Sequence, residues 1–247
     1  TKNHIVDMEQ WKPGESQAEI RLNQFLNNKI YDYSKDRNDP IIDGTSRISP
    51  YLALGIISPK KCILEALKLN NFEFSSGHSG ITKWIDEIVW REFYKNIMFC
   101  FPKVSRGQPF QDYSKLIEWR YAESEFNAWT EGKTGFPIVD AAMRELNTNG
   151  YMHNRGRLVV SNFLCRLLHI DWKLGERYFA SKLYDYDPTQ NNFGWQVSGS
   201  NSSGTTSRPL SQTIMNPWIQ SSKHDNDGDY IKKWLPELKN VKSSHLH

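Results

Sequence analysis

"GITKWIDEIVWREFYKNIMF", residues 80–99, is the stretch on which the fold turns. Its apolar residues recur three and four apart, not on alternate positions, which is the signature of a helix. The spacing predicts a helix around residues 81–98, with Ile85, Ile88, Val89 and Ile97 burying toward a bundle. Glu87, Trp90, Arg91 and Tyr94 stand at i, i+3, i+4 and i+7 and share the opposite face. That face has two readings. It is a solvated surface with a Glu87–Arg91 ion pair of a few tenths of a kcal/mol, or a flat aromatic platform beside a carboxylate and an arginine, suited to a base.

Outward from this helix the same periodicity continues. "ESQAEIRLNQFLNNKI" (15–30) puts Ala18, Leu22, Phe25, Leu26 and Lys29 on one stripe. "SPKKCILEALKL" (58–69) opens with Ser58 as N-cap and Pro59 at the first helical position. "FPIVDAAMRELNTNG" (136–150) starts at Pro137 and stops at Gly150, the expected asymmetry. "NRGRLVVSNFLCRLLHI" (154–170) and "LGERYFASKLY" (174–184) extend the series. No period-2 alternation lasts more than a few residues, and no internal repeat is present. The sequence predicts an all-α single domain over residues 1–247. Its longest loop is expected at about 185–229, with the low-complexity "SGSNSSGTTS" (198–207) inside it.

Composition narrows the possibilities without choosing among them. The chain has no run of about 18 apolar residues, so a membrane span is not expected. Cys62, Cys100 and Cys165 are isolated and odd in number, which favours a reducing compartment over a disulfide framework. Their spacing also argues against a zinc site, and no metal is expected. A net charge of +3 and pI near 8.6 are only weakly suggestive of nucleic acid. The N-terminus has neither the apolar core of a signal peptide nor an arginine-biased transit pattern. It does not begin with Met, so a piece of a longer chain is expected.

Three further segments carry groups suited to ligands. "GYMHNRGR" (150–157) offers Asn154, with amide donors and an acceptor, and Arg155 and Arg157, which pair with phosphates or carboxylates. At a helix start these form an anion site, or else a surface turn with arginines in water. "DGTSRIS" (43–49) has a tight Gly44 with the hydroxyls of Thr45, Ser46 and Ser49, yet it lacks the P-loop pattern. "KLYDYDPTQNNFGWQ" (182–196) crowds two aspartates, two asparagines, a proline and a tryptophan into what reads as a turn-rich loop.

Taken in order, "GTSR" (44–47), "EIVWREFY" (87–94), "EGKTGFPIVDAAMREL" (131–146), "GYMHNR" (150–155) and "IDWKLGERYF" (170–179) closely resemble the helical flavin-binding domain of DNA photolyases and cryptochromes. The resemblance runs over nearly the whole chain. It implies a noncovalent FAD, folded into a U inside a helical bundle and active as reduced FADH⁻, beside a pocket for a flipped pyrimidine dimer in damaged DNA.

By the same resemblance, Tyr33, Thr45, Ser46, Arg47, Ile48, Ser49 and Trp84 are expected to contact FAD. Asp185 and Asp187 would face the flavin and its adenosine arm. Asn191 would sit at flavin N5, and Arg157, paired with Asp185, would supply a cation near the flavin's anionic edge. Trp195, Trp172 and Trp119 match an electron relay running outward to the surface. Arg37 matches a phosphate contact, and Glu87, Trp90, Asn154 and Arg155 match the lesion pocket, with Arg91 and Tyr94 added to the DNA face. Glu87 also borders the flavin and would stabilise the reduced base. Unstacking a damaged pair costs less than unstacking an intact one, which contributes to selectivity.

"MHNR" and Asn191 resemble the cyclobutane-dimer enzymes more than (6–4) enzymes or plant cryptochromes. Light-driven dimer repair is therefore expected, with a blue-light receptor using the same flavin and tryptophans as the alternative. Val197, Leu158 and the run "SGTTSRPLSQTIMNP" (203–217), with Thr206 where an aspartate is usual, depart from the family pattern near the lesion pocket. An amino-terminal antenna domain and the last C-terminal helices of the family are missing from these residues, so no antenna chromophore is assignable. The expected protein is a monomer working inside the cell, in cytoplasm or nucleus, without a membrane.

Overall fold

The computed structural model describes residues 10–199 and 214–247. Twelve α-helices are seen there: α1 (Glu15–Asn28), α2 (Tyr33–Asp36), α3 (Ser49–Ala53), α4 (Pro59–Leu69), α5 (Ser79–Cys100), α6 (Glu123–Glu131), α7 (Pro137–Asn149), α8 (Asn154–Asn162), α9 (Trp172–Lys182), α10 (Pro188–Gly199), α11 (Pro217–His224) and α12 (Asp229–Trp234). Among the described residues no strand forms. There is one isolated bridge, between Arg120 and Ile170. The all-α expectation holds, and no described helix is long and apolar enough to cross a membrane.

Local signals set several helix ends as the sequence predicts. The Ser58 hydroxyl accepts from the Lys60 N–H with Pro59 at N1 of α4. Helix α7 begins at Pro137 and ends on Gly150, whose φ of 61° is the left-handed conformation that glycine adopts without strain. Asp140 adds a second tie at that start: its carboxylate accepts from the N–H of Thr134 at 2.7 Å and of Gly135 at 3.0 Å.

Packing divides into two apolar clusters. Ala18, Leu22, Phe25 and Leu26 of α1 join Ile81, Trp84, Ile85 and Ile88 of α5 in the first. Trp129, Met143, Leu146, Val160, Phe179 and Trp195, from α6 to α10, make the second, with Tyr230 and Ile231 of α12. A fully buried side chain of this size contributes about 1.5–3 kcal/mol, so burial in the two clusters is a main stabilising term of the fold. Helix α5 of the first cluster packs on α10 of the second, which also packs on α8, and these three helices carry the groups described below. The start of α5 presses close on the turn after α1. A Cβ on Gly80 would collide with the carbonyls of Ile30 and Tyr31.

Four expectations need correction. Val89 is exposed at 41% instead of turned to the bundle, and Lys29 leaves the α1 stripe to pair with Asp43. The Glu87–Arg91 pair does not form. Arg91 is buried and bonded to Asp187 at 2.6 Å, and Glu87 is bonded to Arg37 at 2.6 Å. Finally, the supposed 185–229 loop contains α10 and α11. Asp187 caps α10 by accepting from the N–H of Thr189 at 2.9 Å and Gln190 at 3.2 Å, with Pro188 at the first position. Asn216 caps α11 in the same way, accepting from the Trp218 N–H at 2.9 Å. Residues 200–213, including Thr206 and most of the low-complexity run, lie outside the described residues.

Candidate functional site

Two cavities, of about 380 and 260 Å³, lie between the clusters. Both are lined by Glu87, Asn154, Arg157, Asp185 and Gln190, so they form two lobes of one site. Together they fall in the size range of small-molecule sites.

The inner lobe is built from the turn that leads into α3. Thr45, Ser46, Arg47, Ile48 and Ser49 line it with Tyr33 of α2 and Trp84 of α5, all expected there from the sequence. Arg47 holds a φ of 48°, a conformation an arginine adopts only under constraint, and such strain concentrates at functional sites. Two of the hydroxyls are already used. Ser49 donates to Asp185 Oδ2 at 2.8 Å, and Ser46 accepts from Trp84 Nε1 at 3.3 Å.

At the junction of the lobes sits an ion pair. Arg157 Nη2 donates to both carboxylate oxygens of Asp185, at 3.0 and 2.8 Å, and its Nε donates to the Met152 carbonyl at 2.8 Å. The expected Arg157–Asp185 pairing is thus present. Burial opposes the charge of Arg157, but Asp185, Tyr151 and Glu145 outweigh it and hold the guanidinium above its ordinary range. A second pair, Arg91–Asp187, ties α5 to the cap of α10. Arg91 also donates to the Leu52 carbonyl at 3.0 Å. Burial penalises the Asp187 carboxylate, yet the Thr189 hydroxyl, Arg91 and two backbone N–H groups lower its pKa overall. Arg91, assigned from sequence to the DNA face, is therefore an interior residue on the inner lobe.

The outer lobe is bounded by α10 and opens on an aromatic shelf. Asp187, Asn191 and Trp195 line it from one side, Glu87, Trp90 and Tyr94 from the other. Trp90 is 45% exposed and lies 5.9 Å from Tyr94, which stacks on Phe193 at 5.4 Å with 18° between the planes. Leu158 and Val197, two of the departures from the family pattern, are in this wall. Asn191 Nδ2 donates to the Glu176 carbonyl and to its carboxylate, both at 3.1 Å. Those partners can only accept, so the amide orientation is fixed and Oδ1 is the atom left to face a ligand. Burial raises the pKa of Glu176, with the Asn191 bond and Arg177 acting against it.

Outside the lobes, Arg37 is turned inward to Glu87 instead of lying free, and Lys83 approaches the same carboxylate at 3.5 Å. Arg155 bonds Asn38 on the same side of the molecule. Of the three relay tryptophans, Trp195 lines the outer lobe at 2% exposure, Trp172 is 5% exposed at the start of α9, and Trp119 is half-buried against His169. The ring contacts of Trp195 run to Phe179 at 5.0 Å and Trp129 at 5.9 Å, not to Trp172. Sequence reasoning missed Glu176, Tyr151 and His153. Each lay inside a quoted motif ("IDWKLGERYF" or "GYMHNR"), but no role had been attached to it.

The site thus pairs a cation-lined inner lobe with an outer lobe that has a free amide oxygen, a carboxylate and an exposed indole. It suits an elongated ligand with an anionic middle and a flat aromatic end, next to space for a second flat partner. The residues present fit the implied flavin dinucleotide: His153 and Arg91 line the inner lobe, and each has a buried nitrogen, Nε2 and Nε respectively, without a partner.

Comparison with known proteins agrees. A family model described as the FAD binding domain of DNA photolyase matches residues 84–247. The chain is similar to proteins named deoxyribodipyrimidine photo-lyase from Vibrio cholerae, 41% identical over 98% of this chain and 50% of that protein, and from Escherichia coli, 41% identical over 95% and 49%. Among solved structures it resembles a class III photolyase from Agrobacterium tumefaciens, with a TM-score of 0.91 and 36% identity over all of this chain and 50% of that one. It also resembles a Synechocystis cryptochrome, with a TM-score of 0.84 and 33% identity over 96% and 48%. The chain spans about half the length of these relatives.

Proposed function

This chain belongs to the DNA photolyase family, and on that premise we propose that it forms the flavin- and lesion-binding helical unit of an enzyme that splits cyclobutane pyrimidine dimers in DNA. The observation that carries this reading is the shared wall between the two lobes. Glu87 borders both and stands beside the exposed Trp90 at the outer mouth, so a single carboxylate can touch a cofactor that spans the lobes and a flipped base pair at the mouth.

Reduced FAD, when bound and excited by light, would lend the electron that opens the cyclobutane ring and take it back once the two bases have separated. The chain's own residues prepare for it. Thr45, Arg47 and the backbone of the turn into α3 hold the phosphates, with Tyr33, Ile48 and Trp84 packing beside them. Ser49 and Arg157 brace Asp185 at the junction, and Asn191 offers its Oδ1 to a ring N–H, a bond that favours the reduced form. On the DNA side, Trp90 stacks on the dimer with Tyr94 behind it. Glu87 and Asn154 hydrogen-bond its base edges, and Glu87 stabilises the base after it accepts charge. Arg37 and Arg155 meet the backbone phosphates, which makes binding salt-dependent. Arg37 leaves Glu87 to do so. Trp195, Trp172 and Trp119 match the family's relay positions and would pass an electron inward to an oxidised flavin.

The test is illumination of the FAD-loaded, reduced protein with an oligonucleotide carrying a defined thymine dimer. The expected result is light-dependent recovery of intact thymines. Flavin photoreduction without any splitting would overturn the repair reading and favour a light receptor.

A further inference from the structure

His153 is a built hydrogen-bond donor that no role so far accounts for. It is the N-cap of α8, and its Nδ1 accepts from the Arg155 N–H at 3.1 Å. A nitrogen that accepts carries no proton, so the neutral ring has its single N–H at Nε2. Its backbone is fixed as well: the His153 N–H donates to Glu145 Oε2 at 3.2 Å, and the same oxygen accepts from the Tyr230 hydroxyl at 2.7 Å. Helices α7, α8 and α12 therefore jointly hold the ring in place. The residue is 6% exposed and lines the inner lobe, and its Nε2 is buried without a partner.

A buried, oriented and unsatisfied N–H costs free energy unless a ligand completes it. The charges that act on the ring are mostly cationic: Arg155, Arg157 and Arg47, with only Asp39 opposing. Burial and those arginines lower its pKa to about 4, so it stays neutral near pH 7. A neutral donor among arginines suits an anionic oxygen, to which it adds direction without further charge.

Building on the flavin reading, we propose that His153 Nε2–H donates to an oxygen of the cofactor diphosphate, making His153 a cofactor-binding residue of the inner lobe. The cap and the donor are separable. His153→Asn keeps an acceptor for the Arg155 N–H but loses the far donor. His153→Gln places an N–H near the Nε2 position but loses the cap. Flavin-free protein is titrated with FAD, and the phosphorus resonances of the bound cofactor are compared. A hydrogen bond to a charged oxygen corresponds to about tenfold or more in Kd. His153→Asn is expected to weaken FAD by that factor and to move a phosphorus resonance, with His153→Gln within about threefold of wild type. Unchanged affinity in His153→Asn, or equal losses in both variants, overturns the proposal. Weakened binding with both phosphorus resonances unmoved also overturns it, since the donor would then serve another part of the cofactor. Failure of the wild-type protein to bind FAD at all would instead overturn the flavin reading itself.

Discussion

The Arg157–Asp185 pair is the joint of the two-lobed site, and its removal has a calculable effect. In Asp185→Ala the Ser49 hydroxyl and two donor contacts from Arg157 lose their acceptor. Breaking a buried ion pair by deleting one partner costs about 3–5 kcal/mol, because the other charge remains uncompensated. The Asp185 side chain is 3% exposed, so its own bonds are made out of water, whereas Arg157 keeps 26% exposure and recovers part of its solvation. The low end, about 3 kcal/mol, is therefore expected. With a urea slope of about 3 kcal/mol/M, the unfolding midpoint falls by about 1 M. A double-mutant cycle with Arg157→Met separates the pair from its surroundings, and a coupling of about 2 kcal/mol is expected for residues in direct contact. Strict additivity of the two single changes, within about 0.5 kcal/mol, would refute the claim that the pair acts as one structural unit.

Three further outcomes follow from the packing of the chain. His153 has a folded pKa of about 4 against an ordinary 6.5. Between those values the unfolded chain binds a proton that the native chain refuses, so stability falls as pH drops from 6.5 to 4, by at most roughly 3 kcal/mol from this residue. Urea midpoints across that window, compared between wild type and His153→Asn, should separate as pH drops from 6.5 to 4, with wild type losing more stability; parallel curves would show that the histidine is not held neutral. Gly175→Ala places a methyl group into the Trp195 ring and Leu164, so a loss of about 1–3 kcal/mol and altered tryptophan emission are expected. Gly194→Ala, with nothing within 4 Å of its new Cβ and a position inside α10, should leave stability unchanged or raise it by up to about 1 kcal/mol. Equal behaviour of the two glycines would mean that α9 and α10 do not pack as described.

What the sequence revealed depended on how local each cause was. Helices α4 and α7 were legible because Ser58, Pro59, Pro137 and Gly150 act within one turn of themselves. Helix α10 was not, because its polar side chains are satisfied by distant partners: Asn191 bonds Glu176, and Gln196 accepts from the Phe110 N–H at 2.7 Å. Read along the chain, such residues look like loop. Arg91 failed for the same reason. Its spacing from Glu87 suggested a shared surface, but Asp187 draws it inward. The site itself showed through the family resemblance more than through any single motif. That resemblance placed Arg157 with Asp185 but was silent on Glu176 and His153, whose importance lies in which atoms of Asn191 and of the ring are left unbonded.

A crystal structure of this protein grown with FAD measures the central claim directly. The account predicts one cofactor spanning both lobes, its diphosphate over residues 45–49 and its ring system beside Asn191 Oδ1, with Glu87 and Trp90 left open at the outer mouth. FAD bound elsewhere, or both lobes empty at saturating cofactor, would contradict it.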